Sequence, residues 1–132
     1  MDETKILVVD DDPDAVEFAS AVMEEAGYAV VTAPDGVQGL EKAREEKPDL
    51  VILDVQMPER DGFTVFADMR KDPDLKDIPV VMLTGIADKV SIPFSAKDMG
   101  EYIGEEPQAY VEKPVDPDML TKTVRQVLEG AG

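Results

Sequence analysis

Three carboxylates stand at the ends of short apolar runs. Asp10 and Asp11 follow Ile6-Leu7-Val8-Val9, and Asp54 follows Leu50-Val51-Ile52-Leu53. In a parallel α/β sheet the ligand site lies outside the carboxyl ends of the strands, so two neighbouring strands would deliver all three acids to one patch. Close carboxylates repel, and they resist staying charged unless something positive arrives. A hard divalent cation held by oxygen ligands meets that need. Two more polar groups close apolar runs: Thr84 after Val80-Val81-Met82-Leu83, and Lys113 after Ala109-Tyr110-Val111-Glu112. If the strands are parallel, Asp10, Asp11, Asp54, Thr84 and Lys113 emerge at one sheet edge. Three carboxylates, a hydroxyl and an ammonium suit phosphoryl transfer to a carboxylate. Asp54 would be the nucleophile. Asp11 and Asp54 would hold a Mg²⁺, with Asp10 acting largely through water and the backbone carbonyl of Gln56 completing the protein ligands. Lys113 would pair with Asp54 before reaction and with a phosphoryl oxygen afterwards, and Thr84 would donate a hydrogen bond to another phosphoryl oxygen.

Positioning these groups requires strands, and the chain offers five: Lys5–Val9, Ala29–Ala33, Leu50–Asp54, Val80–Thr84 and Ala109–Glu112. Their β-branched content and near-continuous apolarity fit strands buried on both faces. Amphipathic stretches alternate with them. Asp12-Pro13 opens the first helix, with Asp12 as N-cap and Pro13 at the first helical position. Val16, Ala19, Ala21, Val22 and Ala26 form its apolar side, and Gly27 stops it. The spacing of Val37, Leu40 and Ala43 predicts a second helix over residues 36–47, ended by Pro48. Phe63, Phe66, Ala67 and Met69 mark a third over residues 62–71. Leu120, Val124, Val127 and Leu128 mark the last over residues 118–129. Strand–helix alternation of this kind specifies a parallel sheet with right-handed crossovers. Residues 85–108 carry Pro93, Gly100, Gly104 and Pro107 with little helical periodicity. An irregular segment is expected there, with a short helix near residues 96–102 introduced by the capping-box-like Ser95-Ala96-Lys97-Asp98.

Composition narrows the function classes. The 132 residues predict one domain spanning 1–132. There is no cysteine and no histidine, which removes disulfides, thiolate chemistry and imidazole as base, metal ligand or phosphoryl carrier. Thirty acidic against 13 basic residues leave a net charge of −17. Such a field repels nucleic-acid phosphates, so no direct nucleic-acid contact is expected. No apolar stretch approaches the roughly 20 residues that span a bilayer, and Met1-Asp2-Glu3-Thr4-Lys5 lacks the features of a signal peptide. The expectation is a cytoplasmic protein with no membrane contact.

Four segments together resemble the receiver domain of bacterial two-component response regulators. They are residues 6–13, Ile-Leu-Val-Val-Asp-Asp-Asp-Pro; residues 51–58, Val-Ile-Leu-Asp-Val-Gln-Met-Pro, with Asp61-Gly62; residues 81–85, Val-Met-Leu-Thr-Gly; and residues 110–114, Tyr-Val-Glu-Lys-Pro. They span nearly the whole chain and keep the family order. The resemblance implies a flavodoxin-like, doubly wound, five-stranded parallel sheet of order 2-1-3-4-5. It also implies a histidine kinase or phosphotransfer protein as phosphoryl donor, and a downstream protein target or fused output domain as receiver of the signal. By resemblance Asp54 is the phosphoacceptor, Asp10 and Asp11 are the metal-binding pair, Lys113 is the essential lysine, and Thr84 with Tyr110 is the switch pair. Phosphorylation would draw Thr84 inward and let the Tyr110 ring turn from exposed to buried. The chain departs from the family between Thr84 and Tyr110. That stretch is longer than usual and lacks the regular alanine-rich fourth helix, so an irregular or shortened fourth helix is expected. Gln56 and Ile86, two residues beyond Asp54 and Thr84, would overhang an acyl phosphate, and apolar Ile86 would slow its hydrolysis.

Two other readings remain open on the sequence. Asp10-Asp11-Asp12 has the Asp-x-Asp form of a haloacid-dehalogenase-type phosphatase, although that reading leaves residues 54–58 unexplained. A pseudo-receiver that only docks a partner would need no chemistry at Asp54.

Overall fold

A computed structural model of the chain describes residues 4–55, 62–84, 109–112 and 115–131, the last residue by its backbone alone. In chain order the elements are β1 (Lys5–Val9), α1 (Pro13–Glu25), β2 (Ala29–Ala33), α2 (Gly36–Glu46), β3 (Leu50–Asp54), α3 (Gly62–Lys71), β4 (Val80–Thr84), β5 (Ala109–Glu112) and α4 (Pro117–Ala131). All four strand pairings are parallel, and the sheet order is β2-β1-β3-β4-β5. This is the flavodoxin-like doubly wound topology. The short helix expected near 96–102 and the irregular fourth helix lie outside the described residues.

Alternation along the strands sends side chains to two cores. Ile6, Val8, Leu50, Ile52, Val81 and Leu83 pack beneath α1 and α4 through Ala19, Met23, Leu120 and Val124. Leu7, Val9, Val51, Leu53, Val80 and Met82 pack beneath α2 and α3 through Leu40, Ala43, Val65, Phe66 and Met69. The central strands β1, β3 and β4 are buried almost throughout, which is why they read as unbroken apolar runs. The edge strands β2 and β5 are only partly covered.

Helix ends follow local chemistry. Asp12 caps α1, its Oδ1 accepting the Asp14 N–H at 3.0 Å, with Pro13 at the first position. Gly27, at φ 100°, turns the chain out of α1 in a left-handed conformation suited to glycine. Asp35 caps α2 by accepting the Gln38 N–H at 2.8 Å. The buried side of α1 keeps Ala19 and the partly buried Val22 as expected and includes Met23, whereas Ala21 is exposed. Ala19 and Met23 are one turn apart, and Ala21 falls on the opposite side. Likewise Val65 is buried in α3, and Val37 in α2 is 45% exposed.

α2 ends on Lys47, whose N–H donates to the Ala43 carbonyl at 3.0 Å from a left-handed backbone, φ 47° and ψ 61°. A β-carbon there costs roughly 1–2 kcal/mol. Lys47→Gly is therefore expected to raise the unfolding free energy by about 0.5–1 kcal/mol, after allowing for the extra freedom glycine gives the unfolded chain. Urea unfolding checks this, and a lower midpoint would contradict it. Beyond α3, Asp72 ties the two helices of that face together. Its Oδ1 accepts the Asp74 N–H and its Oδ2 accepts Arg44 Nε–H, each at 2.9 Å. Those two bonds, the Asp74 amide first, hold the Asp72 carboxyl below the usual carboxylate range.

Candidate functional site: an acidic trio at the ends of the central strands

β1 and β3 are neighbours, and their last aligned pair is Val9 with Leu53. Asp10 and Asp54 each lie one step further on. Alternation continues Val8 into Asp10 and Ile52 into Asp54, so the two acids share the sheet face that carries α1. Carboxylate oxygens of Asp10, Asp11 and Asp54 lie within 4.8 Å of one another. Asp10 and Asp54 are 1% and 2% exposed, whereas Asp11 is open to solvent.

The backbone around the trio is tied down. The Asp10 N–H donates to the Ala33 carbonyl at 3.2 Å, which extends the β1–β2 ladder by one residue. Asp10 Oδ1 accepts the Asp12 N–H at 3.0 Å, turning the chain from strand to helix cap and leaving Asp11 at the apex. On β3, the Val55 N–H donates to the Leu83 carbonyl at 3.1 Å, and the Gly62 N–H donates to the Val55 carbonyl at 2.8 Å. These three acids are hard oxygen donors, two of them buried, at a spacing one small cation can bridge. The donor set fits Mg²⁺ and offers nothing to a soft metal.

Thr84 ends β4 one residue beyond Leu83, the partner of Asp54. It is 4% exposed, and its Oγ1 has no hydrogen-bond partner among the described residues. Alternation places Thr84 on the face of Val80 and Met82, and Tyr110 on β5 pairs with Met82. Thr84 and Tyr110 are thus diagonal neighbours on one face of adjacent strands. Tyr110 is half-buried against the core under α2 and α3. Lys113, Gln56 and Ile86 lie outside the described residues. What the sequence reading missed is the part played by Gly62, visible beforehand only as the glycine of an Asp-Gly pair after β3. A β-carbon on Gly62 would stand 2.4 Å from the Asp54 carbonyl oxygen.

The response regulator receiver domain family matches residues 6–125. The chain belongs to that family. The receiver is 36% identical over 126 residues to Protein PilH of Pseudomonas aeruginosa, covering 96% of this chain and 98% of that protein. It is 39% identical over 124 residues to the DNA-binding dual master transcriptional regulator RpaA of Synechocystis, covering 94% of this chain and 48% of that one. The receiver thus spans about half the length of RpaA and of most of the other curated relatives it matches, and nearly all of PilH. Among solved structures, the chemotaxis protein CheY4 of Vibrio cholerae superposes with a TM-score of 0.80 at 33% identity, covering 96% of this chain and 99% of that one. Receivers of this family are phosphoacceptors with weak autophosphatase activity, and they bind Mg²⁺ at an acidic pocket. Among the described residues no helix is long and apolar enough to cross a membrane.

Proposed function

We propose that residues 1–132 act as a single receiver domain that accepts a phosphoryl group on Asp54 from a histidine kinase or phosphotransfer protein. The observation that supports this most directly is the convergence of Asp10, Asp11 and Asp54 at the ends of adjacent strands, two of them buried. Asp10, Asp11 and Asp54, with the Gln56 carbonyl, would hold a Mg²⁺, whose charge offsets that of the crowded carboxylates and the incoming phosphoryl oxygens. The Asp54 carboxylate attacks phosphorus. The new O–P bond forms as the donor's N–P bond breaks, and the electron pair leaves with the donor imidazole. Thr84 donates its hydroxyl proton in a hydrogen bond to one phosphoryl oxygen, and Lys113 pairs with another. Burial of Asp54 keeps bulk water away, and Ile86 adds an apolar screen against the slow hydrolysis that resets the domain.

In this reading Thr84 moves toward the phosphoryl group and Tyr110 turns into the space released, a switch supported by their position as diagonal neighbours on adjacent strands. The altered surface near β5 then reads out to a downstream protein or a fused output domain. No contact with nucleic acid or membrane by this domain is part of the proposal, and the location is the cytoplasm.

Intact mass after incubation with acetyl phosphate tests the reading. One phosphoryl group is expected with Mg²⁺ and none with a chelator, and no addition under either condition would leave a docking module. Thr84→Ala separates transfer from folding. Losing one transition-state donor lowers such rates by about 10²–10³ at full effect. Replacing a buried hydroxyl that lacks a partner among the described residues leaves stability unchanged or improved. The expected result is slower labelling with an undiminished melting temperature. Labelling at the wild-type rate would remove Thr84 from the mechanism.

A further inference from the structure

Gly62 is the buried first residue of α3, and it sits directly on the peptide that carries Asp54. A β-carbon there would stand 2.4 Å from the Asp54 carbonyl oxygen, 3.0 Å from Val55 Cα and 3.1 Å from the Asp54 carbonyl carbon. All three are backbone atoms, so no side chain can swing aside to make room. The Gly62 N–H also donates to the Val55 carbonyl at 2.8 Å, and the Val55 N–H donates to the Leu83 carbonyl at 3.1 Å. The end of β3 is therefore clamped between β4 on one side and the start of α3 on the other.

We propose that Gly62 is a positioning residue for the acidic trio. By seating α3 on the Asp54–Val55 peptide, backbone against backbone, it sets where the Asp54 carboxylate stands relative to Asp10 and Asp11. It thereby sets the affinity of the trio for a divalent cation. The inference rests on the cation-binding reading above. Its physical basis is the short lever between the Asp54 peptide and the Asp54 carboxylate. A displaced peptide carries the carboxylate with it, and Mg²⁺ demands near-ideal ligand placement. Supporting groups around metal ligands typically tune affinity by about 10–100-fold.

A purely structural role would cost stability and leave cation affinity alone. Gly27→Ala supplies that comparison: Gly27 has φ 100° with nothing within 4 Å of its β-carbon position, and it follows α1 at the opposite end of the sheet from Asp54. Gly62→Ala and Gly27→Ala would each be made in the Lys47→Gly background, which offsets part of the lost stability. Each protein would be titrated calorimetrically with Mg²⁺ alone, without a phosphodonor. The expected result is a Mg²⁺ dissociation constant at least about tenfold weaker in Gly62→Ala, and unchanged in Gly27→Ala. A lowered melting temperature with the parent's Mg²⁺ affinity in Gly62→Ala would overturn the inference. Absence of Mg²⁺ binding in the parent would instead sink the cation reading, and the inference with it. Should Gly62→Ala fail to fold, amide hydrogen exchange on the unmodified protein decides. Coupling between sites is reciprocal, so saturating Mg²⁺ must slow exchange at the Gly62 amide by more than the overall stabilisation slows it at the Gly27 amide. Slowing at Gly62 no greater than at Gly27 would overturn the proposal.

Discussion

Asp54→Asn is expected to reduce phosphoryl uptake from acetyl phosphate to the level seen without metal. The replacement keeps the size and most of the hydrogen-bonding shape of the side chain, so β3 and its neighbours should fold as before. What it removes is the anionic nucleophile and the negative charge of one of the three oxygen donors. An amide oxygen is a poor nucleophile, and no acyl phosphate can form on it. The same substitution should blunt stabilisation by the cation. A ligand present at a hundred times its dissociation constant stabilises the folded state by about 2.7 kcal/mol. The melting temperature of the wild type should therefore climb with added Mg²⁺, and that of Asp54→Asn should climb much less. Intact mass and thermal melts with a Mg²⁺ series check both halves. Uptake by Asp54→Asn at the wild-type rate would move the acceptor to another carboxylate of the trio. Undiminished Mg²⁺ stabilisation would instead put the cation elsewhere.

Phe66→Ala should cost about 3–5 kcal/mol of folding free energy, the range for removing a fully buried aromatic ring. Among the described residues Phe66 is the largest side chain with no solvent exposure, and it fills the layer between α3 and the sheet with Val51, Leu53 and Met82. One face of the ring is covered by a cation, since the Arg70 guanidinium carbon lies over it, 4.5 Å from the centroid. Arg70 Nη1 also donates to the Ile78 carbonyl at 2.8 Å, so the cation is anchored over the ring by the turn that leads into β4. Domains of this kind have about 5–15 kcal/mol in total, so the loss would bring the variant near its unfolding threshold at room temperature. Urea midpoints are the measurement. Phe66→Leu should lose distinctly less because most of the volume survives. A loss below about 1 kcal/mol for Phe66→Ala would mean that the layer collapses around the gap.

Much of the architecture was legible because its signals are local. The five strands were readable as short apolar runs, since strands covered on both faces leave no polar side to confuse the period. Helix ends at Asp12-Pro13 and Gly27 were readable because caps and stops depend on the chemistry of one or two residues. Where a signal depends on packing, the reading slipped. Ala21 and Val37 are apolar yet exposed, and Val65 is buried. Which side of a short helix faces the sheet is set by the sheet, and alanines and valines occur on both sides. Lys47 at the end of α2 was unreadable for another reason. Nothing in a lysine announces a left-handed conformation, and the fold imposes it to turn the chain toward Pro48 and β3.

The site divides along the same line. Sequence alone determined which groups stand at strand ends: acids after β1 and β3, a hydroxyl at the end of β4, a tyrosine within β5. It also determined the family, through four motifs kept in order. It could not determine that β1 and β3 are neighbours, because strand order depends on which crossover passes over which face. That order came from the resemblance, and hydrogen bonding between the strands bears it out. Only the tertiary structure brings carboxylate oxygens of Asp10, Asp11 and Asp54 within 4.8 Å of one another and sets Gly62 against the Asp54 peptide. The physical reason is that both are distances between segments far apart along the chain or across a loop. Such distances are fixed by strand register and by the seating of a helix, neither of which any local pattern encodes.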